Sequence, residues 1–277
     1  MSPLVQVAYS ASTLGASIAA LRFIPVLILQ YAIQFIALVL PATAARLALE
    51  IRFFERFGLS AASALSIGVI DSVSGFAVQI GLLLLITLTS LPGLTTSITA
   101  AATSSPTTSS GHSILLLAIA LLIIGAVISV VIPSLRHRLW GRIPTMRSAI
   151  KEQASSARGS LVVLRDPRKV VRMLVGNLGA QLIQAVILGL CLTAFGQTAH
   201  LSQLILINTA VSLFAGLMPV PGGMGVAEAG YTAGLQAIGI PSAIAISTAI
   251  AFRLATFYLP PLWGSVAMRW LRRNSYV

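Results

Sequence analysis

A glycine- and proline-rich break, Pro219-Val-Pro-Gly-Gly-Met-Gly225, interrupts the apolar sequence near the C-terminus. Its prolines lack a backbone donor and prevent a continuous helix, and its glycines permit positive φ and the close approach of another group. A helix starting near Val226 would direct its free N–H groups and the positive end of its dipole at this break, where a phosphate could be held. A simple kink that neighbouring helices satisfy is the alternative interpretation. The predicted binding residues of the break are Pro221, Gly222, Gly223 and Gly225.

Three ionisable residues complete the predicted substrate-binding set: Asp71, Glu228 and Arg253. Glu228 falls in the first turn of the helix after the break, where a carboxylate interacts favourably with the helix dipole. Asp71 is ten residues into its predicted helix and Arg253 is eleven residues into its own, so both lie about 15–17 Å deep at 1.5 Å per residue. Because an ionisable side chain at that depth costs about 2.5–3.5 kcal/mol, we expect each to have a partner. The pairs Asp71–Arg253 and Glu228–Arg253 are both allowed, either as structural ion pairs or as part of a polar substrate path.

The elements that must position these residues are membrane helices. The chain has 277 residues, of which 57% are hydrophobic and 9% are charged, and its mean hydropathy is +0.95. The net charge of +12 comes from Lys and Arg residues that cluster between long apolar runs. This pattern is typical of a polytopic membrane protein and excludes a soluble enzyme and a nucleic-acid-binding protein. One cysteine and three scattered histidines give no metal-ligand set, so we predict neither a metal nor a cofactor.

Apolar runs long enough to approach the roughly 20 residues of a membrane-spanning helix recur along the chain. Two further stretches, Arg46–Phe57 and Val226–Ile238, have a helical composition but are too short or too polar to span alone. The predicted fold class is therefore all-α, a polytopic helical bundle in the membrane. The candidate runs are Val5–Leu21, Ile24–Leu40, Ala61–Leu91, Ser113–Ile132, Met173–Phe195, Leu204–Leu217 and Ser242–Val266.

Two connections set the expected orientation. The segment Pro92–His112 is rich in Ser and Thr and has no charged residue, whereas Pro133–Arg172 carries ten Lys and Arg residues against two acids. By the positive-inside rule, loop 133–172 and the basic C-terminus are cytoplasmic and loop 92–112 is outside, in a multi-pass protein of the plasma membrane. The basic loop could also hold anionic lipid headgroups of the inner leaflet, so anionic phospholipids are the expected partners.

The two halves of the chain resemble each other. Each has an apolar helix, a break of proline and small residues, a short helix, a glycine turn and a long helix with one buried charge. With the basic segments inside, the two broken helices form re-entrant hairpins that open on opposite faces, which is the inverted-repeat topology of many transporters. We expect one transmembrane domain over 1–277, with repeats at about 5–91 and 173–266 joined by helix 113–132 and loop 133–172. Chance similarity between Ala-rich membrane segments is the alternative.

The stretch Leu217-Met-Pro-Val-Pro-Gly-Gly-Met-Gly-Val-Ala-Glu-Ala-Gly230, followed by Ala251-Phe-Arg-Leu-Ala-Thr-Phe257, resembles the lysylphosphatidylglycerol synthase transmembrane-region family, also called flippase-like domain proteins. Leu38-Val-Leu-Pro-Ala-Thr43 and Arg52-Phe-Phe-Glu-Arg-Phe-Gly58 are similar to the actinobacterial branch. The chain departs from the common pattern at Ala44-Ala45-Arg46, where members often have a glycine followed by an acid. The family signature, Pro-Gly-Gly-x-Gly-x-x-Glu with a later Tyr/Phe-Arg, matches Pro221, Gly222, Gly223, Gly225, Glu228 and Arg253.

The resemblance implies a protein that translocates or handles lipids, including aminoacylated phosphatidylglycerol in some members. It also implies the membrane part alone, since the cytosolic aminoacyl-transfer domain of lipid-synthesising members does not fit in this chain. We therefore expect a non-enzymatic flippase for a phospholipid or a lipid-linked intermediate. The alternatives are an ion-coupled small-solute transporter and a non-transporting scaffold for a partner lipid-modifying enzyme, and a homo-oligomer is a further option. An intramembrane hydrolase is disfavoured because no Ser/His or paired-Asp set lies at matching depth.

Overall fold

Alanine and leucine, which favour helix, fill much of the chain between its breaks. The computed structural model describes residues 2–17, 21–39, 42–101, 165–217 and 220–277, and every regular element in them is helical. This confirms the predicted all-α class. The α-helices of the described residues are α1 (Ser2–Ala16), α2 (Phe23–Ile36), α3 (Ala42–Glu55), α4 (Ala61–Ala101), α5 (Pro167–Ala194), α6 (Leu201–Leu217), α7 (Val226–Ala237), α8 (Ser242–Arg253) and α9 (Pro260–Arg273).

The described helices follow the predicted apolar runs, with shifts at their ends. The largest shift is in α4, which is predicted to stop at Leu91 but continues to Ala101 with Pro92 inside it. A helix can continue there because a proline removes only one backbone donor, a loss that membrane helices tolerate. The predicted helix 113–132, the rest of the outer loop and most of the basic loop fall within 102–164, outside the described residues.

Three described stretches are long and apolar enough to cross a membrane: Ser63–Ile86, Pro167–Ala194 and Ser242–Arg273. The last of these joins α8 to α9 through a short π-helical segment, Leu254–Tyr258. On the outer surface of α9, Leu262 and Trp263 are 63% and 69% exposed. Large apolar side chains in such positions suit contact with lipid chains rather than with water. The chain is therefore a membrane protein with apolar spanning helices.

Helices α1 and α5 pack closely because small residues let their backbones approach. A Cβ atom at Gly15 would lie 2.7 Å from the backbone nitrogen of Met173, and one at Gly176 would lie 2.7 Å from the backbone oxygen of Ala8. These contacts run in opposite chain directions, so the two helices are antiparallel. Small residues at helix crossings are a usual means of association in membranes.

The same neighbours recur in the two halves of the described structure. In the first half α2 contacts α1 and α3, and α3 packs on α4; in the second half α6 contacts α5 and α7, and α7 packs on α8. Between the halves, α2 packs against α9 and α6 packs against α4. Exchange of the two halves therefore preserves the packing scheme, as an internal repeat predicts. The opposite orientation of the two hairpins in the membrane stays a prediction.

Candidate functional site

The second hairpin consists of α6 and α7. Between these helices the chain is broken by glycines whose backbone conformations other residues rarely adopt. After α6 the chain forms a 3-10 turn, Pro221–Gly223, and then enters α7. The φ angles of Gly222, Gly223 and Gly225 are +56°, +64° and +79°, in the left-handed region that favours glycine. The three glycines thus use the positive φ that their residue type permits, while 218–219 lie outside the described residues.

An ion pair closes this hairpin. Arg253 Nε donates to Glu228 Oε1 at 2.9 Å, and Arg253 Nη2 donates to the backbone oxygen of Gly222 at 2.8 Å. Of the two pairs that the sequence allows, Glu228–Arg253 is therefore formed. Glu228 Oε2 also accepts the backbone N–H of Gly225 at 2.6 Å. At the start of α7, where the sequence predicts a phosphate, this carboxylate already caps a backbone donor.

The residues after Arg253 place two aromatic rings beside the ion pair. They form the π-helical segment Leu254–Tyr258, and such segments are frequent at functional sites. The Arg253 guanidinium lies 4.1 Å from the centroid of the Phe257 ring, and the Tyr258 hydroxyl donates to Glu228 Oε1 at 2.8 Å. A Cβ atom on Gly222 would overlap the Phe257 ring, so glycine is required there on steric grounds as well.

The first hairpin consists of α2 and α3. An ion pair joins it to the next helix, between Arg46 of α3 and Asp71 of α4. Arg46 Nε also donates to Glu50 Oε1 at 2.8 Å. The predicted pairing of Asp71 with Arg253 is therefore wrong. Depth in the membrane does not distinguish one cationic partner from another, and Arg46 is the residue that meets Asp71 because α3 packs directly on α4.

Hydroxyl and amide groups from α1, α4 and α5 surround Asp71. The Ser12 and Thr13 hydroxyls donate to its two carboxylate oxygens, Thr13 at 3.1 Å. Asn177 Nδ2 donates to Ser12 Oγ at 2.7 Å and to Ser74 Oγ at 2.8 Å. Because Asp71 is only 2% exposed, these donors replace the water that a buried carboxylate would otherwise need.

The two ion pairs occupy corresponding places with their charges exchanged. In each pair, one partner lies on the second helix of a hairpin, α3 or α7, and the other lies on the helix that follows it, α4 or α8. The partners are 25 residues apart in both pairs. The second helix carries the base in the first hairpin, Arg46, and the acid in the second hairpin, Glu228. An ion pair thus joins each hairpin to the helix that follows it, and the acid and the base exchange places between the two pairs.

Residues from both hairpins border one cavity of about 360 Å³. Among the described residues, the charged side chains that line it are Arg46, Asp71 and Arg253. Gly222 and Gly223 of the glycine break also line the cavity. The structure therefore brings predicted site residues from the two halves of the chain to one space. Four of the seven predicted site residues line the cavity: Asp71, Gly222, Gly223 and Arg253.

The other three predicted residues, Pro221, Gly225 and Glu228, are not part of the described cavity lining. Pro221 and Gly225 flank the turn that presents Gly222 and Gly223. Glu228 affects the cavity through Arg253, which it positions. In the described ranges no group of three or more His, Cys, Asp or Glu side chains could hold a metal ion.

Amide side chains make up a large part of the polar lining. Gln181 Oε1 accepts a hydrogen bond from Asn208 Nδ2 at 2.8 Å, and Asn208 Oδ1 accepts one from the Tyr231 hydroxyl at 3.0 Å. Gln184 Nε2 donates to the Tyr9 hydroxyl at 3.2 Å. These bonds join α1, α5, α6 and α7 around the cavity. The glutamines that line it are Gln6, Gln30, Gln34, Gln79, Gln181 and Gln184.

Arg46, Glu50 and the glutamines are candidate residues that sequence reasoning missed. The signal for Arg46 is the spacing of 25 residues between opposite charges, which occurs in both halves. The signal for the glutamines is their place within apolar runs at helical spacing, as in Gln30–Gln34 and Gln181–Gln184.

The family described as lysylphosphatidylglycerol synthase TM region matches residues 8–264 of the chain. The matched range contains both ion pairs and the helix pairs α2–α3 and α6–α7. Neither a curated protein nor a solved structure matches the chain.

Proposed function

The chain belongs to the lysylphosphatidylglycerol synthase transmembrane-region family, and from this premise we propose that it translocates a phospholipid or a lipid-linked intermediate across the plasma membrane without converting it chemically. The observation that carries the proposal is a cavity of about 360 Å³ that charged side chains from both halves of the chain line and that lies among helices whose outer surfaces are apolar. Ionisable groups within the membrane are costly and commonly mark a substrate path.

The cavity lining offers an anionic headgroup two guanidinium groups, each of which also pairs with a carboxylate. Arg46 and Arg253 contribute two positive charges to the described lining and Asp71 contributes one negative charge. Glu228, the partner of Arg253, is not part of that lining. A guanidinium forms charge-assisted hydrogen bonds with phosphate oxygens, so this lining suits the phosphate of an anionic phospholipid. Gly222 and Gly223 contribute to the lining beside Arg253, with Phe257 and Ala215 packed where their side chains would lie.

The proposed orientation places the C-terminus and loop 133–172 in the cytoplasm and loop 92–112 outside. The arginines at the end of α9 support the cytoplasmic placement of the C-terminus because they are exposed and suit contact with anionic headgroups of the inner leaflet. These arginines are Arg269, Arg272 and Arg273. An enzyme that modifies the transported lipid is the protein partner that we propose.

Reconstitution into vesicles tests the proposal. In vesicles with tail-labelled fluorescent phosphatidylglycerol, the protein should carry inner-leaflet lipid to an impermeant quencher faster than protein-free vesicles do. Arg253→Gln should slow this movement about tenfold or more, because a hydrogen bond to a charged group contributes about 1.5–3 kcal/mol. Arg273→Gln removes a guanidinium from the exposed end of α9 and is the matched control, with an unchanged rate expected. Equal rates with and without protein would contradict the proposal.

An ion-coupled transporter of small solutes is the second candidate. It is favoured by the cluster of Arg46, Glu50 and Asp71, where one guanidinium serves two buried carboxylates. Glu50 Oε2 is buried without a hydrogen-bond partner in the described part of the chain. Such an excess negative charge could take up a proton or another cation during transport. Solute uptake driven by an ion gradient, with no lipid movement, would favour this candidate, and the absence of both movements would favour a scaffold.

A further inference from the structure

Glutamine is concentrated around the cavity. Six of the nine glutamines in the described residues line it, and they come from four different helices, α1, α2, α4 and α5. An amide within a membrane bundle is costly unless it is hydrogen-bonded. Because each amide carries both donors and an acceptor, this lining matches a ligand whose own groups also donate and accept.

Two of these glutamines have an acceptor atom without a partner. The side-chain oxygens of Gln34 on α2 and Gln79 on α4 are buried and have no hydrogen-bond partner among the described residues. Buried unpaired acceptors are few in native proteins, and each calls for an explanation. A ligand hydroxyl would donate to such an oxygen and could accept from the N–H of a neighbouring amide.

Within the described residues, the cavity lining offers no unengaged carboxylate to an amine. Asp71 is the carboxylate that the described lining contains, and it is bonded to Arg46, Ser12 and Thr13. Arg253 adds a second guanidinium to the lining, and its carboxylate partner, Glu228, is not part of the described lining. An amine could donate to the Gln34 and Gln79 oxygens, but unlike a hydroxyl it could not accept from an amide N–H, and the described lining gives it no free carboxylate as a counter-charge.

We propose that the cavity selects a headgroup made of a phosphate and a neutral polyol, such as glycerol, inositol or a sugar, over a headgroup that carries an amine. The arginines contact the phosphate and the glutamines contact the hydroxyls. This inference rests on the proposed translocation function and specifies its substrate class. A polyol phosphate could reach the cavity as part of a lipid or as a free molecule, and the tests separate these sources.

Binding of short-chain lipids to the detergent-solubilised protein tests the selectivity without requiring transport. Dihexanoyl phosphatidylglycerol should bind about tenfold or more tightly than dihexanoyl phosphatidylethanolamine, because a site built for hydroxyls rejects an analogue that lacks them. Glycerol phosphate in solution should compete weakly if the headgroup arrives on a lipid, and as well as the lipid if the ligand is a free polyol phosphate. Equal or tighter binding of the ethanolamine lipid, or of lysyl-phosphatidylglycerol, would overturn the proposal.

Substitutions of the unpaired glutamines assign the selectivity to the amides. Gln34→Leu and Gln79→Leu should each weaken phosphatidylglycerol binding about threefold to tenfold, the effect of one hydrogen bond, and leave phosphatidylethanolamine binding unchanged. Gln236→Leu, at the exposed end of α7, is the matched control and should bind like the wild type. Gln79→Glu supplies a carboxylate and should shift the preference toward phosphatidylethanolamine. Full discrimination in both leucine variants, with folding verified by thermal unfolding, would overturn the assignment.

Transport measurements separate this inference from the function on which it rests. If reconstituted protein moves phosphatidylethanolamine as fast as phosphatidylglycerol, translocation stands and headgroup selection fails. If no lipid moves but binding prefers the polyol headgroup, translocation fails and the selectivity stands. Faster movement of phosphatidylglycerol together with preferential binding supports both.

Discussion

The carboxylate of Glu228 on α7 lies 2.9 Å from the guanidinium of Arg253 on α8 and sets the position of that guanidinium at the cavity. The two side chains are 22% and 10% exposed, so water screens this pair less than it screens a surface ion pair. Arg253 is further held by the carbonyl of Gly222 and by the ring of Phe257. Glu228 is therefore a positioning residue, and its removal should change the position of the Arg253 guanidinium.

Glu228→Gln keeps the side-chain volume and removes the charge. We expect the free energy of unfolding to fall by about 1–3 kcal/mol, because Arg253 loses the acid that compensates its partly buried charge. Transport should slow in parallel with the effect of Arg253→Gln. Thermal unfolding in detergent and the vesicle assay measure the two effects.

Tyr258→Phe is the control for this substitution. It removes the hydrogen bond to Glu228 but leaves both charges, so we expect a loss of only about 1 kcal/mol and a transport rate near that of the wild type. Equal losses of stability in Glu228→Gln and Tyr258→Phe would show that the charge does not hold Arg253.

Double-mutant cycles check which residues pair. Arg46→Gln should be strongly destabilising, by about 3–5 kcal/mol, because it leaves the buried carboxylates of Asp71 and Glu50 without a counter-charge. Asp71→Asn should cost less, about 1.5–3 kcal/mol, because Arg46 loses one charged hydrogen-bond partner but stays paired with Glu50. The double variant should lose less than the sum of the two. Asp71→Asn combined with Arg253→Gln should be additive within about 0.5 kcal/mol, as expected for separate pairs. A coupling energy between Asp71 and Arg253 with none between Asp71 and Arg46 would contradict the structure.

The membrane class, the helix locations and the glycine break were within reach of the sequence. Hydropathy over about 20 residues is a local signal, and proline and glycine at 219–225 report the break directly. Glycine permits the positive φ angles of Gly222, Gly223 and Gly225, but the residue type alone does not require them.

Local sequence signals do not identify the partner of Asp71, because ion pairing depends on which helices pack together. Arg46 and Asp71 lie on different helices with a turn between them, and neither local composition nor depth selects Arg46 over Arg253. The π-helical segment Leu254–Tyr258 was not predicted either, although Pro260 and Pro261 directly after it are a local signal for an interrupted helix. Its position follows from the contacts that Phe257 and Tyr258 make with the Glu228–Arg253 pair.

Cysteine labelling tests the orientation of the second half. Thr198 lies between α5 and α6, and Asn274 follows α9; both are exposed. In a Cys191→Ala background, Thr198→Cys should react with an impermeant thiol reagent from outside and Asn274→Cys only after access to the cytoplasmic side. The reason is that the basic residues before and at the start of α5 and at the end of α9 both belong inside. Reaction of both cysteines from the same side would contradict the inverted repeat.

Gly222 and Gly225 share a positive φ but differ in their surroundings. A Cβ atom at Gly222 would overlap the ring of Phe257, whereas a Cβ atom at Gly225 would meet nothing within 4 Å. The two positions therefore allow the cost of the backbone conformation to be separated from the cost of the contact.

Gly225→Ala should lose about 1–2 kcal/mol of stability, the cost of a left-handed backbone for an L residue, and should keep its transport rate. Gly222→Ala should lose more and should slow transport, because the added methyl group displaces Phe257 from beneath the Arg253 guanidinium. Adding Phe257→Ala to Gly222→Ala removes the overlapping ring, so the double variant should be less destabilised than the sum of the single variants. Thermal unfolding and the vesicle assay measure both effects. Equal stability losses and equal transport rates in Gly222→Ala and Gly225→Ala would show that backbone conformation alone requires glycine at position 222.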